Sequence, residues 1–297
     1  ICDEGDRIIA YTYDAIGRIA TRTANGWKTS YPTTYQYLAP ENGDSIQTTP
    51  LVQSITQNGQ NFSYTYDNVG NITSVTRNGL MTTYVYDKLG QLIRVNDPHA
   101  NKTTVYNYDR GGNILSCVEY AYTTGTLGAA TQTTAYAYGD SNWKDKVTAI
   151  GGKAITYDAI GNPLTYDGWT FTWKAGRMLA SMVKSGTNAQ FTYDHNGLRI
   201  KKVVNGVTTN YTLNGKNVVH MTQGSHDLHF FYDAQGKPGM VTYNDVDYFY
   251  VYNLQGDVVA LIDANGTQVV EYVYDAWGNP ISKTGTLAAT LGTLNPF

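Results

Sequence analysis

The 297-residue sequence has little charge and few cysteines. Asp, Glu, Lys and Arg make up 15% of the residues, against about 25% in ordinary globular domains. Only Cys2 and Cys117 are present, and two distant cysteines give neither a disulfide framework nor a CxxC metal motif. The cysteine count therefore leaves the cellular compartment open, and Cys117 is expected to be an inert buried thiol.

Other absences exclude whole classes of function. The formal net charge is −3, and the densest basic segment is residues 199–202, which argues against nucleic acid as a partner. No run of about 20 apolar residues occurs, so no membrane span is expected. The GxSxG, P-loop and HExxH motifs are missing. The chain starts at Ile1 without a signal peptide, which is typical of the middle of a longer polypeptide.

What the sequence does contain is tyrosine in a repeated motif. Tyr occurs 26 times and Phe 7 times. Tyr is followed by Asp or Asn and, three residues later, by Gly, often with about 20 residues between copies, which indicates a repeat architecture. A residue that recurs in this way is typical of a structural element rather than a catalyst. The copies are Tyr13, Asp14, Gly17; Tyr66, Asp67, Gly70; Tyr86, Asp87, Gly90; Tyr108, Asp109, Gly112; Tyr157, Asp158, Gly161; Tyr193, Asp194, Gly197; Tyr232, Asp233, Gly236; Tyr252, Asn253, Gly256; and Tyr274, Asp275, Gly278.

Each copy predicts the end of one strand, a tight turn and the start of the next strand. Aromatic residues at i and i+2, as in Tyr64 and Tyr66, lie on one face of a strand. Asp favours the first position of a type I turn, and Gly closes a three-residue hairpin in the left-handed conformation. Asn-Gly pairs predict two-residue hairpins at the opposite ends of the strands. These pairs begin at Asn25, Asn58, Asn78, Asn205, Asn214 and Asn265.

The pattern predicts an all-β protein built as a long antiparallel meander. About 25 strands are implied, and open sheets rarely exceed about 10 strands without curling. Residues 154–164 and 178–184 have some apolar periodicity but are short and interrupted by Gly or Pro, so no helix is predicted. The meander is therefore expected to curl into part of a spiral, hollow β-shell. Two or three sandwich domains are the alternative.

The turns contain apolar residues at a position where exposed turns favour polar ones. They are Ile16, Val69, Leu89, Ile160 and Trp277. We predict that these side chains pack against neighbouring turns or a second layer; scattered surface exposure is the alternative.

No residue is predicted to be catalytic or to bind a cofactor or metal. The repeated Asp residues are interpreted as turn caps, since catalysis needs two carboxylates that converge in one pocket. His220, Asp227 and two further histidines are close in sequence, but His226 and His229 lie three apart, on opposite faces of a strand. Ordinary histidines are therefore preferred to a zinc site. Asp245 and Asp247 lack the further oxygen ligands of a calcium loop, and an exposed hairpin end is preferred.

The Trp side chains leave one functional alternative open. Trp143, Trp169 and Trp173 have faces that suit stacking on sugars or contact with a partner. We predict instead that they pack on the face of the sheet. A carbohydrate-binding or cell-surface adhesion module thus remains the alternative function.

At these motifs the chain resembles the RHS/YD-repeat family. This family includes bacterial Rhs and wall-associated polymorphic toxins, the C component of ABC toxin complexes, and the teneurins. The resemblance lies in the repeated turns, as at residues 13–18 and 66–71, and in residues 252–263 and 272–280, which resemble the segment leading into the family's RHS-associated core. It covers nearly the whole chain.

The resemblance implies a non-catalytic β-shell segment that encapsulates a C-terminal toxin domain of the same parent polypeptide. It implies one RHS/YD-repeat region over residues 1–297, with 251–280 as the lead-in to the core. The core, its cleavage site and the toxin are absent from this sequence, so no catalytic residues are carried over. The expected location is secreted, at the cell surface or in the cell wall. The expected partners are that toxin domain or, in the alternative, a cell-surface glycan or protein.

Overall fold

The computed structural model describes residues 8–25, 30–39 and 49–297. Two compact units contain these residues. The first unit consists of the described residues up to Thr103, together with Ala121–Thr126 and Phe230–Phe297. The second unit consists of Thr104–Tyr120 and Leu127–His229.

The first unit draws its strands from both ends of the chain. Its early strands are β1 (Ile8–Tyr13), β2 (Ile19–Asn25), β3 (Ser30–Tyr37), β4 (Val52–Gln57), β5 (Gln60–Tyr66), β6 (Ile72–Arg77), β7 (Leu80–Tyr86) and β8 (Leu92–Asp97). Its late elements are, in the same numbering along the chain, β22 (Pro238–Tyr243), β23 (Val246–Tyr252), β24 (Val258–Ile262), β25 (Gln268–Tyr274), β26 (Pro280–Thr284) and the four-residue helix α1 (Leu291–Leu294).

The second unit contains the strands between these two groups. They are β10 (Ile114–Ala121), β11 (Ala130–Ala137), β12 (Ala149–Ile150), β13 (Lys153–Tyr157), β14 (Pro163–Tyr166), β15 (Trp169–Lys174), β16 (Met178–Lys184), β17 (Thr187–Tyr193), β18 (Arg199–Val204), β19 (Val207–Asn214) and β20 (Asn217–Gln223). Strands β9 (Lys102–Tyr108) and β21 (His226–Tyr232) cross the unit boundaries, and the last residue of β10, Ala121, belongs to the first unit.

The predicted all-β antiparallel meander is confirmed. Within the described residues, 26 strands are joined by hydrogen bonds into one sheet, and the described pairings join strands that follow one another in the sequence. Residues 154–164 and 178–184 are not helical; they contain β13, the start of β14 and β16. The helix α1 was not predicted. The curling of the whole sheet into a spiral shell stays a prediction.

Two kinds of turn connect the strands. At Asn58-Gly59 both residues have positive φ, 49° and 73°, as a type I′ hairpin requires, and the flanking residues Gln57 and Gln60 pair directly. Asn78 and Asn205 begin turns of the same kind. The other Asn-Gly predictions differ: Asn214 pairs with Asn217 as the last residue of β19, Asn265 lies inside an Asp-x-x-Gly turn, and the Asn25 pair extends outside the described residues.

Two sheet layers face each other in the first unit. Ile55, Phe62 and Tyr64 of β4 and β5 form one buried cluster with Phe249 and Ile262 of β23 and β24. All five residues of β24 are buried, which is expected of a strand covered on both faces. The core of the first unit therefore depends on contacts between residues about 200 positions apart in the sequence.

The second unit shows the alternation typical of strands with one covered face. Along β15, Trp169, Phe171 and Trp173 are half-buried, and the intervening residues are exposed. Deeper burial is reached at Met221 and Leu228, which pair across β20 and β21.

The prediction that the apolar turn residues are packed is wrong. Ile16, Val69, Leu89, Ile160 and Trp277 are between 48% and 83% exposed. The turn places this side chain at the tip of the hairpin, beyond the last pair of the ladder, where much of its surface stays accessible to solvent.

Candidate functional site

The repeated turn is held by its Asp carboxylate. In the copy at Asp67, the Gly70 N–H donates to the Asp67 carbonyl at 3.1 Å, and the Asp67 N–H donates to the Asn71 carbonyl at 2.9 Å. Oδ1 of Asp67 accepts the N–H groups of Val69 and Asn71 at 3.0 and 2.8 Å, and Oδ2 accepts the Asn71 side-chain amide at 2.8 Å. Gly70 has φ of 91°, a conformation that other residues rarely adopt.

The same bonds recur along the chain. Each of the eight predicted Asp turns has the Gly N–H bonded to the Asp carbonyl, and the Asn253 copy has the equivalent bond. A tenth turn at Asp263 and Gly266 has the same geometry, although Ile262 stands in the Tyr position. The carboxylates thus lie at separate turns and serve the backbone of their own hairpins.

Hydrogen bonding favours the ionised form of Asp67 and Asp109. The side-chain amide of Asn71 lowers the pKa of Asp67, and the backbone N–H groups of the turn add to the effect against a smaller opposing effect of desolvation. The Asn113 side chain and backbone lower the pKa of Asp109 in the same way. A general acid that works near neutral pH needs a raised pKa instead.

In five copies of the motif, the Tyr hydroxyl links its hairpin to an earlier segment of the chain. The Tyr86 hydroxyl donates to the Ile72 carbonyl at 2.9 Å, and the Tyr66 hydroxyl donates to the Val52 carbonyl at 2.6 Å. Ile72 is the first residue after the preceding turn, where the pairing register shifts and a bulge disrupts the ladder. The hydroxyl supplies a donor to that bulge. Equivalent bonds run from Tyr157 to Val147, Tyr193 to Leu179 and Tyr252 to Pro238.

Replacing Tyr66 with Phe removes this donor and keeps the ring. We expect the free energy of unfolding to fall by about 1 kcal/mol, the net value of one intramolecular hydrogen bond. Urea denaturation of wild type and Y66F measures the difference. The variant Y13F, at a motif Tyr that is 61% exposed, serves as the control and should change the unfolding free energy by less. Equal effects of Y66F and Y13F would contradict the linking role.

One motif carboxylate is buried and differs from the rest. Asp233 is 2% exposed, and its Oδ2 accepts the Nε–H of Arg22 from β2 at 3.1 Å. Arg22 is 7% exposed. Oδ1 of Asp233 accepts the N–H groups of Gln235 and Lys237 at 3.0 and 2.8 Å, so the carboxylate also holds its own turn. This ion pair joins the two layers of the first unit.

Lys237 lies beside this pair, with its Nζ 3.7 Å from the centre of the Tyr252 ring. Burial and the Arg22 charge, against the opposing charges of Asp233 and Asp257, together lower the pKa of Lys237 to about 8. The unfolded chain keeps this proton up to an ordinary Lys pKa of 10.5. The unfolded state therefore binds more protons between the two values, and stability from this group rises with pH there.

The variant K237M should lose this pH dependence. From pH 8 to about pH 10, wild type should gain on the order of 1 to 2 kcal/mol of stability relative to K237M. Urea denaturation at several pH values measures the difference. K88M, at an exposed turn, should follow the wild-type curve. A constant difference between wild type and K237M across this range would contradict a depressed Lys237 pKa.

Polar side chains connect the layers at further points. The Gln57 side chain pairs with the backbone N–H and carbonyl of Tyr252, as a neighbouring strand would. Arg77 donates to Glu271 at 2.8 Å, and the Tyr31 hydroxyl donates to the Asp263 carbonyl at 2.8 Å. These contacts fix the register of one layer on the other.

A cavity of about 680 Å³ lies between the layers of the first unit. Its lining includes Tyr86, Tyr274 and Trp277, together with the polar side chains of Asn253 and Asp257. Aromatic faces beside a few polar groups are typical of a small-molecule site of this size. Sequence reasoning did not find it, because the aromatic and polar residues come from separate parts of the chain.

The second unit brings together three side chains that were predicted not to form a metal site. His220, Asp227 and His229 place their ligand-type atoms within 4.8 Å of one another. His226 and His229 do lie on opposite faces of β21, as predicted. The prediction did not consider that His220 pairs with His229 across β20 and β21. The spacing of these two residues around the tight turn at Gly224 was the available signal.

The remaining candidate residues of the sequence analysis lie in turns and strands, as structural residues do. Asp245 is in the turn between β22 and β23, with φ of 66°, and Asp247 accepts the Thr242 hydroxyl at 2.6 Å. Cys117 is a half-buried cysteine. Trp173 donates its indole N–H to the Pro163 carbonyl at 2.7 Å, whereas Trp143 is 50% exposed.

Comparison with known proteins identifies the family from the repeat. The Teneurin YD-shell family matches residues 57–292. The chain belongs to this family. Within the described residues, no helix is long and apolar enough to cross a membrane.

Among curated relatives of this YD-shell chain are bacterial nucleases. The tRNA3(Ser)-specific nuclease WapA of Bacillus spizizenii is 34% identical over 194 residues, which are 63% of this chain and 8% of that protein. The tRNA nuclease WapA of Bacillus subtilis (strain 168) is 32% identical over the same share of each. The chain therefore spans about a twelfth of the length of these relatives.

Solved structures share the YD-shell fold. The crystal structure of TcdB2-TccC3 matches with a TM-score of 0.68 and 17% identity, over 95% of this chain and 17% of that one. The Photorhabdus luminescens Tc holotoxin pore matches with a TM-score of 0.61 and 17% identity, over 95% of this chain and 16% of that one. At this identity the likeness concerns the fold.

Proposed function

We propose that this chain is a non-catalytic wall segment of an Rhs-type toxin carrier, and that it encloses part of a C-terminal toxin domain of the same polypeptide. The observation that supports this most is the repeated hairpin, whose motif side chains bond to their own turn and to an earlier hairpin. Such a repeat extends a wall without creating a reaction centre. In this proposal residues 1–297 are one RHS/YD-repeat region, and 251–280 lead into the closing core.

The relation to the WapA nucleases fits a carrier. The matched segment is a small share of each nuclease. We infer that nuclease activity in such proteins resides outside the matched segment and that the toxin domain is the partner of the wall. Secretion or display at the cell surface would follow from a toxin-delivery role. Purified chain incubated with tRNA should leave the tRNA intact, and cleavage abolished by substitution within residues 1–297 would contradict the non-catalytic role.

Enclosure is tested on the parent polypeptide. An affinity tag is placed on the domain that follows the shell, and capture by that tag is compared under native and denaturing conditions. We expect capture only after denaturation, because the wall hides the tag. A second tag on an exposed hairpin tip, such as the turn at Val69, should be captured under both conditions. Equal native capture by the two tags would contradict enclosure.

Carbohydrate binding is a second candidate, supported by one feature. Trp277 is 56% exposed and lines the first-unit cavity beside Tyr86 and Tyr274. A glycan array with the purified chain tests this role. Binding of a defined glycan that is lost in W277A and kept in W143A would favour an adhesion module. Absence of binding, or equal binding by the two variants, would count against it.

A further inference from the structure

His220, Asp227 and His229 form a compact group on one face of the second unit. Nε2 of His220 lies 3.1 Å from Oδ2 of Asp227, and Nε2 of His229 lies 2.9 Å from Oδ1 of the same carboxylate. The two imidazole rings are 4.3 Å apart between centroids and 19° from parallel. The Asp227 carboxylate thus contacts the Nε2 atoms of both histidines at once.

The hairpin between β20 and β21 builds this group. Its two-residue turn at Gly224 and Ser225 pairs Gln223 with His226, and the register continues without a shift to the pair His220 and His229. Counted from the turn, His220 and His229 form a pair of the type not joined by ladder bonds, in which side chains approach closest. Asp227 lies two residues before His229 and therefore on the same face.

The distances suit a metal ion that prefers nitrogen and oxygen ligands. Zn²⁺ binds His nitrogen at about 2.0–2.1 Å and carboxylate oxygen at about 2.0–2.2 Å, so adjacent ligands around a tetrahedral ion lie roughly 3.3 Å apart. The nitrogen–oxygen separations of 3.1 and 2.9 Å are close to that value. Within the described part of the chain, this is the group of three His, Cys, Asp or Glu side chains close enough to share an ion.

The exposure of the group leaves room for further ligands. The side chains of His220, Asp227 and His229 are 29%, 49% and 53% exposed. Solvent can therefore complete the coordination, and an ion can enter without a change in the fold. The two strands hold the ligands in place, because the neighbouring cross-strand pair, Met221 and Leu228, is buried at 2% and 0% exposure.

We propose that His220, Asp227 and His229 bind a divalent transition-metal ion of the Zn²⁺ class and tie β20 to β21. Two imidazoles and one carboxylate provide three protein ligands with one net negative charge when both rings are neutral. Bound metal replaces the contacts between the carboxylate and the two rings with bonds to the ion. This site goes beyond the wall function and does not depend on it.

Isothermal titration of the full 297-residue chain with ZnCl₂, after chelator treatment, tests the proposal. We expect one ion per chain, and at least about tenfold weaker binding in H229N and in D227N, since each loses one of three ligands. H226N is the matched control, because His226 is in the same hairpin on the opposite face, and should bind as wild type does. D227E should recover part of the lost affinity.

Thermal unfolding gives a second measure that does not depend on heat of binding. Zn²⁺ should raise the Tm of wild type and H226N and leave that of H229N nearly unchanged, since an ion that binds only the folded state stabilises it. Circular dichroism without metal checks that the variants keep the sheet. Absence of Zn²⁺ binding in wild type, or undiminished binding in a folded H220N/H229N double variant, would overturn the proposal.

Discussion

Replacing Arg22 with Met is expected to lower the free energy of unfolding by about 3 to 5 kcal/mol. Arg22 and Asp233 are nearly inaccessible to solvent and join β2 to the turn before β22. The substitution keeps much of the side-chain volume but leaves the Asp233 carboxylate buried without its cation. An uncompensated buried charge is costly, whereas the intact pair is worth far less than this loss. Equilibrium urea denaturation measures the change.

Two further variants test whether the loss of stability in R22M comes from the burial of the pair or from the loss of any ion pair. K153M breaks the Lys153–Asp167 pair, which has a short separation of 2.6 Å but is 57% and 34% exposed. That loss should be small, because solvent screens the attraction between two exposed charges. The double variant R22M/D233N removes the orphan charge and should recover part of the loss in R22M. Losses of equal size in R22M and K153M would refute the role given to the buried pair.

Replacing Phe249 with Ala is the second change with a large expected effect, a loss of about 3 to 5 kcal/mol. Phe249 is 2% exposed and lies in the cluster shared by the two layers, with its ring 4.5 Å from that of Tyr31 between centroids. Truncation removes buried apolar surface and leaves a cavity that rigid strands on both sides fill poorly.

The control for this prediction is L80A in β7. Leu80 is 45% exposed, so its truncation should cost well under half of the loss in F249A. Urea denaturation of the two variants provides the comparison. Should F249A and L80A lose similar amounts of stability, the two layers would not form a shared core.

The hairpins could be predicted from the sequence because their determinants are local. An Asp that accepts N–H groups two and four residues ahead, and a Gly at positive φ, act within a five-residue window, as at Asp67. Alternating aromatics fix the strand that precedes the turn. These features sufficed for the all-β class and for the number of strands.

The link made by the motif Tyr was only partly visible in the sequence. The sequence shows that Tyr greatly outnumbers Phe, but it does not show what the Tyr hydroxyls bind. Its acceptor, a backbone carbonyl at the bulge of an earlier turn, carries no sequence signal, since any residue provides a carbonyl. Val52, Ile72 and Pro238 all serve in this role.

The contacts between layers could not be predicted. Arg22 and Asp233 are separated by 211 positions, and Gln57 and Tyr252 by 195. Asp233 has the same motif as its half-buried counterparts, so the sequence does not mark it as the fully buried one. The exposed apolar turn tips were misjudged for the same reason, because packing beyond the hairpin depends on where distant strands lie.

The group of His220, Asp227 and His229 in β20 and β21 was more predictable than the contacts between layers and less predictable than the hairpins. Its register follows from a two-residue turn, so the pairing of His220 with His229 was accessible to local reasoning. Comparison of residues along one strand alone missed it, since the ligands come from both strands.

Limited proteolysis of the parent polypeptide tests the central claim, that this chain is the wall of a carrier. Cleavage within the domain that follows the shell is timed by mass spectrometry in wild type and in R22M, and for that domain purified alone. We predict strong protection in wild type, partial loss of protection in R22M, and rapid cleavage of the isolated domain. Cleavage of the domain at the same rate in all three samples would contradict it.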